Sequence, residues 1–135
     1  WPSDYSAGRS LQAHAINYHY YIVTATRACD SALIDLNGDE VAYQKSEGML
    51  AVSYTIDLDR EIFHENFNMD KIEKLTKDVP GIKVETHYLR EQWLVSSGDK
   101  NSSVKELARK YEIETLRDYL LRSQKEINDK FCCRK

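Results

Sequence analysis

The sequence predicts a helix-rich α+β fold with a small antiparallel sheet, the alternative being an all-α bundle. Three patterns carry this expectation: a stripe of apolar residues at helical spacing near the N-terminus, strict apolar/polar alternation in two mid-chain segments, and a second helical region before the C-terminus. With 135 residues, 41% of them apolar and 30% charged, the chain is long enough to bury a core without metal staples. One globular domain over residues 1–135 is expected, with residues 1–8 loosely ordered.

The first helix follows from Leu11, Ala15, Tyr18, Ile22, Ala25 and Cys29, which share one face at 100° per residue. Its other side carries Ile16, Tyr20 and Val23, so burial on more than one face is expected. Next comes "LIDLNGDEVAY", where Asn37-Gly38 between alternating apolar residues reads as a two-residue primed hairpin turn. Residues 50–58 alternate strictly, with Leu50, Val52, Tyr54, Ile56 and Leu58 on one side, and predict a half-buried strand. "GIKVETHYL" alternates through Ile82, Val84, Thr86 and Tyr88 and is expected to pair with it in one sheet. Between them, Asp70 with Glu73 three residues on suggests a capped helix, which Val79-Pro80-Gly81 must end. Beyond the polar stretch 97–103, Ser103 and Glu106 are placed as a capping box. There the apolar stripe changes phase: Val104, Leu107, Ala108 and Tyr111 share one face, and Ile113, Leu116, Tyr119, Leu120 and Ile127 fall mostly opposite. Either the helix breaks near Glu112 or it is a central helix packed on both sides.

Charge is unevenly spread. The net charge is −3, but residues 35–65 hold eight acids against two bases, whereas residues 66–135 are net basic. No apolar run reaches the length of a membrane span. Both methionines, Met49 and Met69, are internal, so processing ahead of Trp1 is expected, and a cleaved secretory signal would account for it. The cysteines agree with an oxidising compartment. A bridge from Cys29 to Cys132 or Cys133 would close a loop of over a hundred residues and stabilise by roughly 4–5 kcal/mol, leaving one thiol over. The competing expectation is three reduced thiols. Adjacent Cys132 and Cys133 lack the spacer of a zinc site.

Candidate chemistry is sparse. Asp35-x-Asn37-x-Asp39 resembles the start of an EF-hand or dockerin calcium loop, but its sixth position is Glu40 rather than glycine and its twelfth is Ser46 rather than glutamate. Residues 103–121 resemble the helix-turn-helix signature of DNA-binding domains, with Ala108 and Ile113 matching. Glu112 replaces the turn glycine, and the bases from Lys105 to Arg122 are offset by Glu106, Glu112, Glu114 and Asp118. A structural helix pair is therefore expected, with no nucleic-acid partner. The histidines His14, His19, His64 and His87 show no i, i+4 metal pairing, and His64 beside Glu65 is the nearest thing to an acid–base pair. No catalytic residue, metal site or cofactor is expected, and the protein is not read as an enzyme.

By elimination, the sequence reads as a small secreted or periplasmic module that binds another protein through its surface, as an inhibitor or immunity-type protein would. The expected contact surface is Asp57, Asp59, Glu61 and Glu65, facing a partner with a basic cleft. The alternative is a small-ligand carrier, or an unfamiliar enzyme, with a pocket lined by some of the nine tyrosines.

Overall fold

In the computed structural model, the described residues are 2–3, 9–26, 31–44, 51–87, 91–98 and 101–131. Among these residues, four helices and two small antiparallel three-stranded sheets make an α+β fold, as the sequence predicts, and the all-α alternative falls away. The chain divides into two compact units, Trp1–Ile56 and Asp57–Lys135.

In the first unit β1 (Pro2–Ser3) precedes α1 (Arg9–Tyr18). The expected helix is shorter than its stripe. His19 takes a left-handed φ of 53° while its N–H still donates to the Ala15 carbonyl, which stops the helix. Tyr20, Tyr21, Ile22, Val23 and Thr24 follow, a β-branched and aromatic run suited to extended backbone. They lead into β2 (Ile22–Val23) and β3 (Ala25–Thr26); the helical spacing of Ile22 and Ala25 is coincidental, and Cys29 lies outside the described residues. β3 pairs in parallel with β1. β2 pairs antiparallel with β4 (Ala32–Ile34), which pairs antiparallel with β5 (Glu40–Tyr43). The core is Leu11 and Ala15 of α1 against Ile22 and Ile34.

The hairpin at Asn37-Gly38 is present, but its turn is not the two-residue primed type. The Gly38 N–H donates to the Asp35 carbonyl at 2.9 Å, the Asp35 N–H to the Asp39 carbonyl at 2.8 Å, and Gly38 alone in the loop has positive φ, +86°. This is the longer loop in which a regular turn is followed by one left-handed glycine. Glycine is required there twice over, because a Cβ would lie 2.6 Å from Ile16 Cγ1 on α1.

Residues 51–57 form no strand, contrary to the alternation, and of its apolar side Tyr54 is 50% and Leu58 80% exposed. A period of two makes a segment able to be a strand, but a sheet edge must also be there to receive it.

The second unit opens with β6 (Glu61–His64), then α2 (Met69–Asp78), β7 (Ile82–His87), β8 (Gln92–Ser97), α3 (Val104–Lys110) and α4 (Leu116–Phe131). The sheet order is β6-β8-β7, antiparallel throughout, so the strand expected at 82–88 exists over Ile82–His87 but pairs with β8 rather than with residues 50–58. β8 is central, and its Trp93-Leu94-Val95 run is buried without alternation. Phe63, Trp93 and Val95 form the core with Ile72 and Leu75 of α2 and Val104, Leu107 and Ala108 of α3. α2 ends before Pro80 as predicted, but its N-cap is Asn68 rather than Asp70, and the Asn68 side chain does not cap. The Ser103–Glu106 capping box is formed. The phase change marks a break: α3 stops at Lys110, Glu112 adopts φ 55°, and α4 starts at Leu116.

Candidate functional site

The four acids expected to face a partner are employed differently. Both carboxylate oxygens of Asp59 accept from the Val104 N–H, at 3.0 and 2.9 Å, which gives one free amide at the start of α3 a charged acceptor. Asp57 is exposed, and its carboxylate accepts from the Asp59 N–H at 2.9 Å, shaping the turn that aims Asp59. Glu61 pairs with Lys105 at 3.7 Å with its side chain 16% exposed. Glu65 is half-buried at the end of β6. The segment thus docks α3 with two of its acids.

The calcium-like residues are engaged with each other and with backbone. Asp35 is buried and its carboxylate accepts from the Leu36 N–H, while the Asn37 amide donates to the Asp39 carboxylate at 2.9 Å. Among the described residues no cluster of three or more His, Cys, Asp or Glu is placed to hold a metal. Cys29, Cys132 and Cys133 lie outside the described residues, so the expected bridge does too.

His64, the acid–base candidate, is built into a surface stack. Its ring lies 4.4 Å from that of Tyr119 on α4 at an interplanar angle of 10°, and its Nδ1 accepts from the Asn66 N–H at 3.2 Å. The Arg122 guanidinium sits 5.5 Å from the other ring in this stack, that of Tyr119, and grips Glu114 with two hydrogen bonds of 2.9 and 3.0 Å. Those bonds hold the Glu114 carboxyl below the usual carboxylate range, against the opposing effect of partial burial. The turn between α3 and α4 also retains a left-handed residue where the helix-turn-helix signature has its glycine, supplied by Glu112. Of the bases on α4, Arg122 is committed to Glu114 and Glu126.

A buried polar residue fixes this corner. Asn68 is 1% exposed; its amide donates to the His64 carbonyl at 2.9 Å and the Glu114 carbonyl at 2.8 Å, and its carbonyl accepts from the Glu114 N–H at 3.2 Å. The corner between β6 and α2 is thereby tied to the residues just ahead of α4. Beside Asn68 stands Phe67, at φ 69° and 79% exposed, with Met69 at 59%. A bulky side chain with left-handed backbone and no burial is unusual.

From this anchored start α4 runs into solvent. Leu116 is its only buried residue, while Leu120 is 48%, Leu121 62%, Ile127 52% and Phe131 70% exposed. Leu120, Ile127 and Phe131 fall within about 40° of arc at 100° per residue, a stripe of the kind that normally faces a core. Phe67, Met69, Asn68 and the outward direction of this stripe were missed in the sequence; the phase change at Glu112 was the one signal that α4 leaves the core.

The first unit holds a different feature. His14, Tyr18 and Tyr20 form a row of near-parallel rings with centroid spacings of 5.8 and 6.0 Å. Beside them Leu11, His14, Tyr20, Tyr21, Ile22 and Val23 line an open hollow of about 270 Å³. It is the size class of a small-ligand cleft at its lower limit, and none of its lining residues is an acid, lysine or arginine.

No protein-family model matches the chain, and no curated protein or solved structure is similar enough to match it.

Proposed function

We propose that the chain is a protein-binding module that docks its partner along the exposed apolar face of α4. The observation that carries this is the exposed apolar surface of α4, the stripe with Leu121 at its edge: a 16-residue helix with one buried residue and four large apolar side chains about half exposed or more. Such a face costs hydration free energy in the free protein, roughly 25 cal/mol per Å² of apolar surface, and a partner recovers it. This moves the expected contact from Asp57, Asp59, Glu61 and Glu65 to α4, because Asp59 and Glu61 already serve α3. A secreted or periplasmic inhibitor or immunity-type role remains the form of this reading, and it rests on the cysteine placement in the sequence. No helix among the described residues is long and apolar enough to cross a membrane.

The second reading is a small-ligand carrier using the hollow beside the His14–Tyr18–Tyr20 row. One experiment parts the two. With a photoreactive benzoylphenylalanine in place of Leu121, or of Phe131, irradiation should give a discrete covalent protein adduct in the extract of the source. The same probe in place of exposed Lys83 on β7 should not. Equal labelling at both places, or none on α4, would defeat the docking face. A carrier would leave the α4 probe unreactive and hold a small-molecule mass in the native protein.

A further inference from the structure

We infer that the occupant of the α4 face is the α4 of a second copy, lying antiparallel. The inference rests on the reading of α4 as a docking face and names its partner. A face that pairs with itself must map onto itself under a two-fold axis. An axis between Ser123 and Gln124 does this for α4: Leu120 falls opposite the second copy's Ile127, and Ile127 opposite its Leu120. Phe131 comes to the level of Leu116, where the second copy's own body begins. The two centre positions, Ser123 and Gln124, are polar but uncharged, so no charge is buried at the axis.

The flanks agree. On one side of the stripe stand Arg117, Leu121 and Asn128; on the other Tyr119, Glu126 and Lys130. In an antiparallel pair each flank meets its own counterpart. Arg117 then comes beside the second copy's Asn128, and Glu126 and Lys130 straddle its Tyr119, so like charges do not meet. The remaining charges, Asp118, Arg122, Lys125 and Asp129, point to the far side, where Arg122 already bonds Glu114 and Glu126. The flanks sum to a net charge of only +1, from Arg117 and Lys130 against Glu126, which is too little to select a strongly acidic partner instead. Direction follows from the anchor. Within the second unit, the core meets α4 at its N-terminal end, where Leu116 is buried and Thr115 bridges to Phe63. An antiparallel pair puts these two second-unit cores at opposite ends of a helix about 24 Å long, whereas a parallel pair brings both to the same end.

The test is sedimentation equilibrium of the full chain across micromolar to submillimolar concentration. The mass should rise towards two chains, and Leu120→Asp with Ile127→Asp should weaken association at least tenfold while leaving the emission of buried Trp93 unchanged. If the double aspartate disturbs that emission, Phe131→Ser at the far, exposed end of the helix carries the same expectation. Direction is read by cysteines placed in a chain whose own three are replaced by serine. Gln124→Cys, next to the axis, should oxidise to a covalent dimer, and Phe131→Cys should not; closure of both would mean a parallel pair and overturn the inference. A single-chain mass at every concentration overturns it as well. In that case an α4 probe that still captures a different protein leaves the docking face standing, and an α4 probe that captures nothing takes the docking face down too.

Discussion

The two units of this chain reach order by different means. Among the described residues, Asp57–Lys135 buries a cluster of nine apolar side chains around Phe63, Trp93 and Val95, whereas Trp1–Ile56 buries a cluster of four. The first unit's strands are two to four residues long, and side chains stand in for missing ladder. Buried Thr24 accepts from the Ala32 N–H at 2.7 Å and donates to its carbonyl at 3.2 Å, and Ser31 Oγ takes the Thr26 N–H at 3.1 Å. The second unit has two six-residue strands and helices packed on its sheet. Apolar burial defines the second unit; local polar bonds, worth about 1 kcal/mol net each, define much of the first.

The largest expected effect breaks that comparison outright. Cut between Ile56 and Asp57, residues 57–135 should retain dispersed amide resonances and a cooperative thermal transition. Residues 1–56 alone should lose theirs, because a chain of that length with so few buried apolar groups does not offset its conformational entropy. A folded 1–56 fragment would show that its polar bonds suffice and that the units are independent. An unfolded one would support the sequence's expectation that residues 1–135 fold as one domain.

Next in size is Asn68→Leu in the second unit. The leucine keeps the asparagine's branched heavy-atom skeleton, with somewhat larger methyl ends, but strands the His64 carbonyl and both backbone groups of Glu114. At about 1–3 kcal/mol for each buried group left unsatisfied, the loss should be about 3 kcal/mol or more, read from the denaturant midpoint followed by Trp93 emission. A loss under about 1 kcal/mol would mean that water reaches this corner and that α4 is held in place by apolar contact alone.

These two cases also show how far the sequence could be read. Local signals were legible: the Ser103–Glu106 box, the stop at Pro80, the hairpin at Asn37-Gly38 and the alternation of Ile82–His87 each depend on neighbours within a few residues. The Asn68–Glu114 link spans 46 positions and leaves no periodic trace. β8 was hidden because a strand buried on both faces does not alternate, and residues 50–58 misled because alternation does not reveal whether a partner edge exists. For the candidate site, the apolar stripe of α4 was visible as a pattern, but its exposure was not, since a stripe looks the same whether it faces a core or a partner. The acids at 57–65 were visible as charge, and the amide of Val104 that takes up Asp59 was not.

The smallest effect sharpens the comparison from inside the first unit. Gly38→Ala meets two separable obstacles. Its backbone sits at φ +86°, which costs a residue with a Cβ about 1 kcal/mol, and the new methyl would lie 2.6 Å from Cγ1 and 2.8 Å from Cδ1 of Ile16. The substitution should therefore cost about 2 kcal/mol, and in a unit with so small a core this is enough to open it. Hydrogen exchange should accelerate through α1 and the β2-β4-β5 sheet while the amides of β6, β7 and β8 keep their protection. Ile16→Ala separates the two terms, because it removes the atoms that the methyl strikes and leaves the backbone strain alone. In that background Gly38→Ala should cost only about 1 kcal/mol more. A cost undiminished by Ile16→Ala would assign the whole penalty to φ, or to the Gln12 carbonyl 3.1 Å from the same methyl, and the hairpin turn would then be held against α1 by backbone rather than by the Ile16 side chain.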